Sequence, residues 1–321
     1  MGGGLLQLVA YGAQDVYLTG NPQITFFKVV YRRHTNFALE SIQQTFNGSV
    51  GYGQRVTATI SRNGDLISRA YLVLGVGSTT TTLCPYFGLK VIKHAEVEIG
   101  GQRIDKHYSD WMYIWNELSM PVGKKEGYFE MIGGKGGDLK GDSLYVPLEF
   151  WFCRNIGLAL PLIGLQYHEV KVNIQFEEST NVVNTASSPQ AGTLSAALWV
   201  DYIYLDTDER RKFAQSSHEY LIEQLQFTGK ESASNKIKLN FNHPVKELVW
   251  VVHEPSGTAE TANLNWFNYT ATPDVLTTAN SATYVNVSTE LGPSSTAENA
   301  VKGGKLILNG NDRFYSRDGR Y

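Results

Sequence analysis

The chain has 321 residues, of which 42% are hydrophobic and 18% are charged, and its formal net charge is −3. This length suggests about two domains, and the near-neutral charge argues against a protein whose bulk coats nucleic acid. The two cysteines, Cys84 and Cys153, are too few for a disulfide framework or a cysteine-rich metal site. Two unpaired cysteines are consistent with a reducing compartment, and they are equally consistent with two thiols buried in the core. No apolar run is long enough for a transmembrane helix, and the glycine-rich start does not resemble a secretory signal.

The first part of the chain predicts a row of strands joined by turns. Strand-like runs occupy residues 41–46, 55–60, 66–76, 90–99, 102–106, 144–152, 167–176 and 194–205. Residues 90–99 and 167–176 alternate apolar and polar side chains with a period of two, as in a strand with one wet face. Glycines in 47–53 and the Asn63-Gly64 pair favour hairpins. Consecutive strands without intervening helices are typical of an antiparallel sandwich or jelly roll.

One helix and one long loop interrupt this row. Residues 108–120 predict a helix that Ser109 caps, with an apolar face of Trp111, Ile114, Trp115 and Leu118. Residues 123–141, rich in glycine and lysine, predict an exposed loop.

The second part of the chain is less regular. Residues 206–217 are charged and lack a strand pattern, so they predict a linker. Strands are expected at 220–229, 236–241, 247–253 and 305–309, and a low-complexity region spans 255–300. A jelly roll needs about eight strands, so this part is either an incomplete barrel or a smaller sandwich.

No pattern of catalytic or metal-binding residues emerges, and we expect no enzyme activity, no cofactor and no metal. The chain lacks an H-x-H pair, a phosphate-loop motif and a G-x-S-x-G nucleophile motif. Three N-x-[ST] sequons begin at Asn47, Asn268 and Asn286, and such sequons arise by chance in an Asn- and Thr-rich chain. Of these, Asn268 and Asn286 lie in the long second-half loop and are the candidate glycosylation sites.

The N-terminal region is rich in aromatic residues, which either tuck under the sandwich or form an apolar association patch. The basic cluster after them is either a solvated strand end or a contact with a neighbouring subunit or inner layer. The candidate contact residues are Tyr17, Phe26, Phe27, Tyr31, Arg32 and Arg33.

The run G-x-x-D-x-Y-L-T-G-N-P-x-I-T-F-F-K-x-V-Y-R-R-H-T-N-F, within residues 10–48, resembles the opening of the major capsid proteins of nucleocytoplasmic large DNA viruses, of the iridovirus, phycodnavirus and mimivirus type. The segments at 109–112, 161–170 and 308–314 are also similar to that family. The likeness therefore extends over nearly the whole chain.

This resemblance implies an all-β double jelly roll, two antiparallel barrels side by side. It divides the chain into an inner-face segment (1–24), a first barrel (25–207), a linker (208–218) and the first part of a second barrel (219–321), which we expect to be truncated because the family usually continues further. It also implies a homotrimer, a pseudo-hexagonal capsomer in the icosahedral shell of a virion. Expected partners are neighbouring capsomers, minor capsid proteins and a nearby internal membrane, without sequence-specific nucleic-acid binding, after synthesis in the host cytoplasm.

Two other functions remain open on sequence alone. A carbohydrate-binding or carbohydrate-processing sandwich would need a cleft with aromatic platforms, and an enzyme of this kind would need two acids about 5–10 Å apart. A cupin-like metalloenzyme would need clustered histidines.

Overall fold

The computed structural model describes residues 36–77, 83–137, 139, 141–183, 192–231, 236–252, 266–267, 269, 301, 303–308 and 310–319. The first part forms two facing antiparallel sheets. Sheet one has the order β1 (Phe37–Gln44), β10 (Leu194–Leu205), β4 (Leu66–Val76) and β7 (Ser143–Pro147), with the short β8 (Leu160–Pro161) also paired to β4. Sheet two has the order β2 (Phe46–Asn47), β3 (Arg55–Thr59), β9 (Val170–Phe176), β5 (Ile92–Ile99) and β6 (Gln102–Tyr108). This is the predicted jelly-roll sandwich.

The core lies between the sheets because each strand turns alternate side chains inward. In β4, Leu72 and Leu74 are fully buried while Tyr71 and Val73 face outward and are half-buried. The same alternation in β9 buries Val172 and leaves Lys171 and Gln175 half-exposed. Buried side chains from both sheets and from the connecting segments form one continuous cluster.

Among the described residues, four short α-helices accompany the strands of the first part, and three of them were not predicted. They are α1 (Phe87–Lys90), α2 (Ser109–Ser119), α3 (Val122–Met131) and α4 (Trp151–Arg154). The prediction of a loop over 123–141 is wrong at α3, because its lysines and glutamates are good helix formers and Lys125 pairs with Glu117 of α2 at 2.6 Å. The strand predicted over 144–152 ends at Pro147, and Trp151 and Phe152 enter the core from a helical turn instead.

Helix α2 was predicted in place but with the wrong face buried. The side chains in its buried face are Ser109, Met112 and Asn116, whereas Leu118 is 60% exposed. Ser109 is the first helical residue and makes no cap; the preceding Tyr108 stands at the cap position, also without a side-chain hydrogen bond. The helix carries apolar residues on two faces, and packing against α1, β5 and β6 selects the face with Met112.

The predicted linker contains a fifth helix, α5 (Thr207–Gln215). The backbone N–H of Thr207 donates a hydrogen bond to the Asp206 side chain, which caps the helix. After it, the described residues 217–231 and 236–252 contain no strand, so the strands predicted at 220–229, 236–241 and 247–253 are wrong for those residues. A strand requires a hydrogen-bonded neighbour, and no such neighbour lies within the described part of this region.

Two short strand pairs lie near the end of the chain. The strand β11 (Gly303–Gly304) pairs with β14 (Arg317–Asp318). The strand β12 (Ile307–Leu308) lies inside the predicted strand 305–309 and pairs with β13 (Asn311–Asp312).

Two glycines in this fold are expected to respond oppositely to alanine. At Gly136, φ is +63° and an added Cβ would lie 2.6 Å from the Cys84 carbonyl oxygen, so Gly136→Ala should cost at least about 1–2 kcal/mol. Gly127 lies inside α3 with open space around it, so Gly127→Ala should stabilise by about 0.5–1 kcal/mol. Urea unfolding of the two variants checks this, and equal effects of one sign would contradict it.

Candidate assembly surface

The residues that the sequence singled out as contact or modification sites lie outside the described part of the chain. These residues are Tyr17, Phe26, Phe27, Tyr31, Arg32, Arg33, Asn268 and Asn286. The third sequon residue, Asn47, is described and lies exposed in β2. A candidate surface must therefore be built from the strands that follow.

Strand β1 is the free edge of sheet one among the described residues. It pairs with β10 on one side over its full eight residues, from Phe37 opposite Leu205 to Gln44 opposite Leu198. On its other side it has no strand partner among residues 36–319 that the structure describes, and Phe37 and Leu39 are 60% and 56% exposed. A long edge strand with exposed apolar side chains invites pairing or packing with another chain.

The outward face of sheet one continues this apolar character. Tyr71 of β4 lies opposite Trp199 of β10, and its neighbour Val73 lies opposite Tyr145 of β7, so these side chains share one face. The Tyr71 and Tyr145 rings are 6.5 Å apart, and the Tyr71 hydroxyl is 2.8 Å from the Ser41 hydroxyl of β1. We call β1 together with this face the candidate assembly surface.

Sheet two has the opposite character, because its outward face carries a network of ions and hydrogen bonds. Glu96 of β5 is largely buried among cations: Arg55 Nη2 lies 2.9 Å from its Oε2, and Lys106 Nζ lies 3.0 Å from its Oε1. Next to it, Thr57 donates to the Asn173 side chain at 2.7 Å, and Asn173 donates to Glu98 at 3.2 Å. These polar groups are already satisfied by each other.

The surroundings of Glu96 set its protonation. Burial alone raises the pKa of Glu96, but the hydrogen bond from Lys106 and the charges of Lys106, His94 and Arg55 outweigh burial and hold the pKa below its ordinary value of 4.5. The carboxylate thus stays ionised in the folded protein.

We expect Glu96 to make the protein less stable in acid. Because its pKa is lower in the folded than in the unfolded state, its contribution is complete above the unfolded value and is lost as the pH falls through the folded value. Urea unfolding at about pH 7 and about pH 3 should show a smaller loss of unfolding free energy for Glu96→Gln than for the unchanged protein. Lys106→Met should also reduce the loss, since it removes the main stabilising hydrogen bond. Identical losses in all three proteins would contradict the assignment.

The flank of the barrel at β6 is covered by the chain that follows α5. Gln224 Nε2 donates to the Ile104 carbonyl at 2.6 Å, and the Leu225 N–H donates to Asp105 Oδ1 at 3.1 Å. Nearby, Arg154 lies over the Trp115 ring and donates to Glu223, which Lys246 also contacts. This chain therefore covers part of the edge at β6, whereas no described residue pairs with the outer side of β1.

Beneath this covered edge lies a buried pair of titratable groups. His107 Nε2 is 2.9 Å from Asp105 Oδ2, with both side chains about 1% exposed, although the alignment does not meet the geometry of a hydrogen bond. The ring of Phe150 stacks on His107 at 4.6 Å. The pair is thus enclosed in the interior of the barrel beside aromatic and strand residues.

Elsewhere, the described residues contain few groups that could bind a metal or react as a nucleophile. No group of three or more histidine, cysteine or acidic side chains within them could hold a metal ion. Cys84 and Cys153 are both unpaired, and burial raises the pKa of Cys84 to about 12 and also raises that of Cys153. Among the described residues, no helix combines the length and the hydropathy that crossing a bilayer requires.

These features define the class of all-β jelly-roll proteins, and the strand β1 gives this one an exposed apolar edge among the described residues. Comparison with known proteins extends this to the family. Residues 25–206 match the N-terminal region of major capsid proteins, and residues 209–321 match the large eukaryotic DNA virus major capsid proteins. The chain belongs to this family, as its N-terminal motif indicated.

Several relatives are named major capsid proteins. The major capsid protein of Pyramimonas orientalis virus is 64% identical over 78% of this chain and 65% of its own length. The major capsid protein of Paramecium bursaria Chlorella virus 1 is 47% identical over 100% of this chain and 76% of its own length. The chain thus spans about two thirds of the length of the first of these relatives.

A solved structure agrees with the fold. The crystal structure of PBCV-1 VP54 superposes with a TM-score of 0.76 at 40% identity, covering 92% of this chain and 75% of the other. VP54 is a double jelly-roll capsid protein, so the predicted fold class is confirmed. The comparisons support a capsid protein and not the carbohydrate-binding alternative.

Proposed function

We propose that the protein is a structural subunit of an icosahedral virus shell, which assembles as a homotrimer into pseudo-hexagonal capsomers. The observation that carries this proposal is the match to VP54 over 92% of the chain at 40% identity, joined to relatives that are named major capsid proteins. A related structure is described as a quasi-atomic model of the PBCV-1 capsid, with a TM-score of 0.75. The exposed apolar side chains of β1 and the aromatic face beside it suit contacts between subunits.

The same proposal places the protein in the virion, after synthesis in the host cytoplasm, and gives it no enzymatic role. Neighbouring capsomers and minor capsid proteins are its proposed partners, with an internal membrane nearby and no sequence-specific contact with nucleic acid. We further propose that residues 1–24 form an inner-face segment. Residues 25–207 form the first barrel, residues 208–218 a linker, and residues 219–321 the first part of the second barrel. The six aromatic and basic candidate residues between Tyr17 and Arg33 contact other subunits. Asn268 and Asn286 are proposed glycan acceptors, which peptide mass spectrometry of virion protein checks.

Sizing and imaging of the purified protein test the main proposal. We expect a mass three times that of one chain by light scattering, and a three-lobed particle with hexagonal outline by negative-stain microscopy. A monomer that persists at high protein concentration would overturn the trimer.

A matched pair of variants tests the open edge as the contact. Leu39 in β1 and Leu118 in α2 are similarly exposed, at 56% and 60%, but only Leu39 belongs to the candidate assembly surface. Leu39→Lys should lower the trimer fraction, because a charge at an apolar contact must be desolvated, while Leu118→Lys should leave it unchanged. Equal trimer fractions in both variants would reject this edge as the subunit contact.

A further inference from the structure

An aromatic peptide from the second part of the chain is docked on the first barrel. Trp266, Phe267 and Tyr269 lie within the region 255–300, whose low complexity predicted only loop. Phe267 is 6% exposed and belongs to the core cluster of the first barrel, with Trp266 and Tyr269 packed against that cluster. These three residues therefore form a contact that composition alone does not reveal.

The receiving surface consists of rings contributed by α2, α3 and the residue before α1. Tyr113 stacks on Phe267, with ring centroids 4.7 Å apart and planes 16° apart, and lies 6.2 Å from the Tyr269 ring. Tyr86 meets Tyr113, Phe129 and Phe267 edge-on, at 5.1, 5.3 and 5.7 Å. Offset stacks and edge-on pairs are the favourable geometries for aromatic rings.

A cation completes the contact. Lys90 Nζ lies 3.7 Å from the centre of the Trp266 ring, and Lys90 is only 9% exposed. A desolvated ammonium over an indole face is a strong form of cation–π interaction. Burial lowers the pKa of Lys90, and the carboxylates of Asp110 and Glu177 act against this shift.

The residue at the centre of the rings has a strained backbone. Tyr86 has φ +55°, and in the described part of the chain no other non-glycine residue has a positive φ. A tyrosine in the left-handed region costs energy that a glycine would avoid, and such strain tends to persist where a side chain is needed in place. The ring of Tyr86 is the part of the residue that glycine could not supply.

We propose that Tyr86, Lys90, Tyr113 and Phe129 form a recognition socket for an aromatic peptide of the pattern Trp-Phe-x-Tyr. The socket is filled in cis by Trp266, Phe267 and Tyr269, and it fastens this stretch of the second part of the chain to the first barrel. The partner that it fits is an uncharged peptide with adjacent indole and phenyl rings. This inference does not depend on trimer formation or on a shell.

Emptying the socket makes the proposal testable with a peptide in trans. The double variant Trp266→Ala/Phe267→Ala removes the internal ligand, and a fluorescently labelled peptide of residues 262–273 serves as the probe. We expect the peptide to bind the double variant at least tenfold more tightly than the unchanged protein, whose socket is occupied. The same peptide with its Phe replaced by Ala is the control and should bind neither protein. Equal binding to both proteins, or no binding to a double variant that circular dichroism shows to be folded, would overturn the proposal.

Variants at Tyr86 test whether peptide binding needs the tyrosine ring or only the turn conformation at this residue. In the emptied double variant, an added Tyr86→Phe keeps the ring and should retain peptide binding, while Tyr86→Gly relieves the strained φ and should weaken binding at least tenfold. If Tyr86 served only the turn, the glycine variant would bind the peptide as well as the phenylalanine variant does. Should Tyr86→Gly fail to fold, Lys90→Met in the same background gives the second measurement, and unchanged binding there would count against the socket.

Discussion

Asp105→Ala is expected to lower the free energy of unfolding by about 3–5 kcal/mol, because several buried polar groups lose the carboxylate that they contact, at about 1–3 kcal/mol for each group left without a partner. His107 would keep its ring inside the barrel without the carboxylate 2.9 Å away. The backbone N–H groups of Lys106 and Leu225 would also lose the Asp105 oxygen that accepts from both. Urea unfolding measures the loss.

A surface pair provides the matched control for this substitution. Asp312 lies 3.0 Å from Lys305 with both side chains about half exposed, so Asp312→Ala should cost about 0–1 kcal/mol. If the two alanine variants differed by less than about 1 kcal/mol, the buried pair would not have the role in stability assigned to it.

Phe150→Ala should be comparably severe, at about 3–5 kcal/mol. The Phe150 side chain is fully buried, and its ring stacks on His107 at 4.6 Å and lies 6.1 Å from Phe152. Removing the ring leaves a cavity between the two sheets that their rigid backbones close only in part. Urea unfolding measures this loss as well.

Tyr167→Ala, at a side chain that is 93% exposed, is the control and should change stability by no more than about 0.5 kcal/mol. Since Asp105 and Phe150 both contact His107, their double variant should fall short of the sum of the two single effects. An additive double variant would show that the two contacts are independent.

The strands were predictable where an apolar run was long and bounded by turn residues. Both ends of β4 and β10 agree with the predicted ranges 66–76 and 194–205, because alternation continues up to turn signals such as Asn63-Gly64. The short helices α3 and α4 were not predictable, since tertiary packing decides whether a glycine-rich or apolar segment becomes helical. The same applies to α2, where two apolar faces compete and only the barrel selects between them.

The surface features were less accessible to sequence reasoning. Arg55 and Glu96 are 41 residues apart in the chain, and only strand pairing through β9 brings them together. The position of β1 at the edge of sheet one, within the described part of the chain, depends on how the other strands pair, which a linear pattern does not specify. The docked ring of Phe267 lies in a stretch whose composition indicated only loop. The contact residues proposed from the N-terminal motif stay predictions, because they lie outside the described residues.

The burial of Cys84 has a practical consequence for handling the protein. Burial raises the pKa of Cys84 to about 12, so the group stays a thiol at neutral pH, and its side chain is fully buried. Alkylating reagents and peroxides can therefore reach this sulfur only when the surrounding strands separate. The rate at which an alkylating reagent labels Cys84 therefore measures how often the barrel opens.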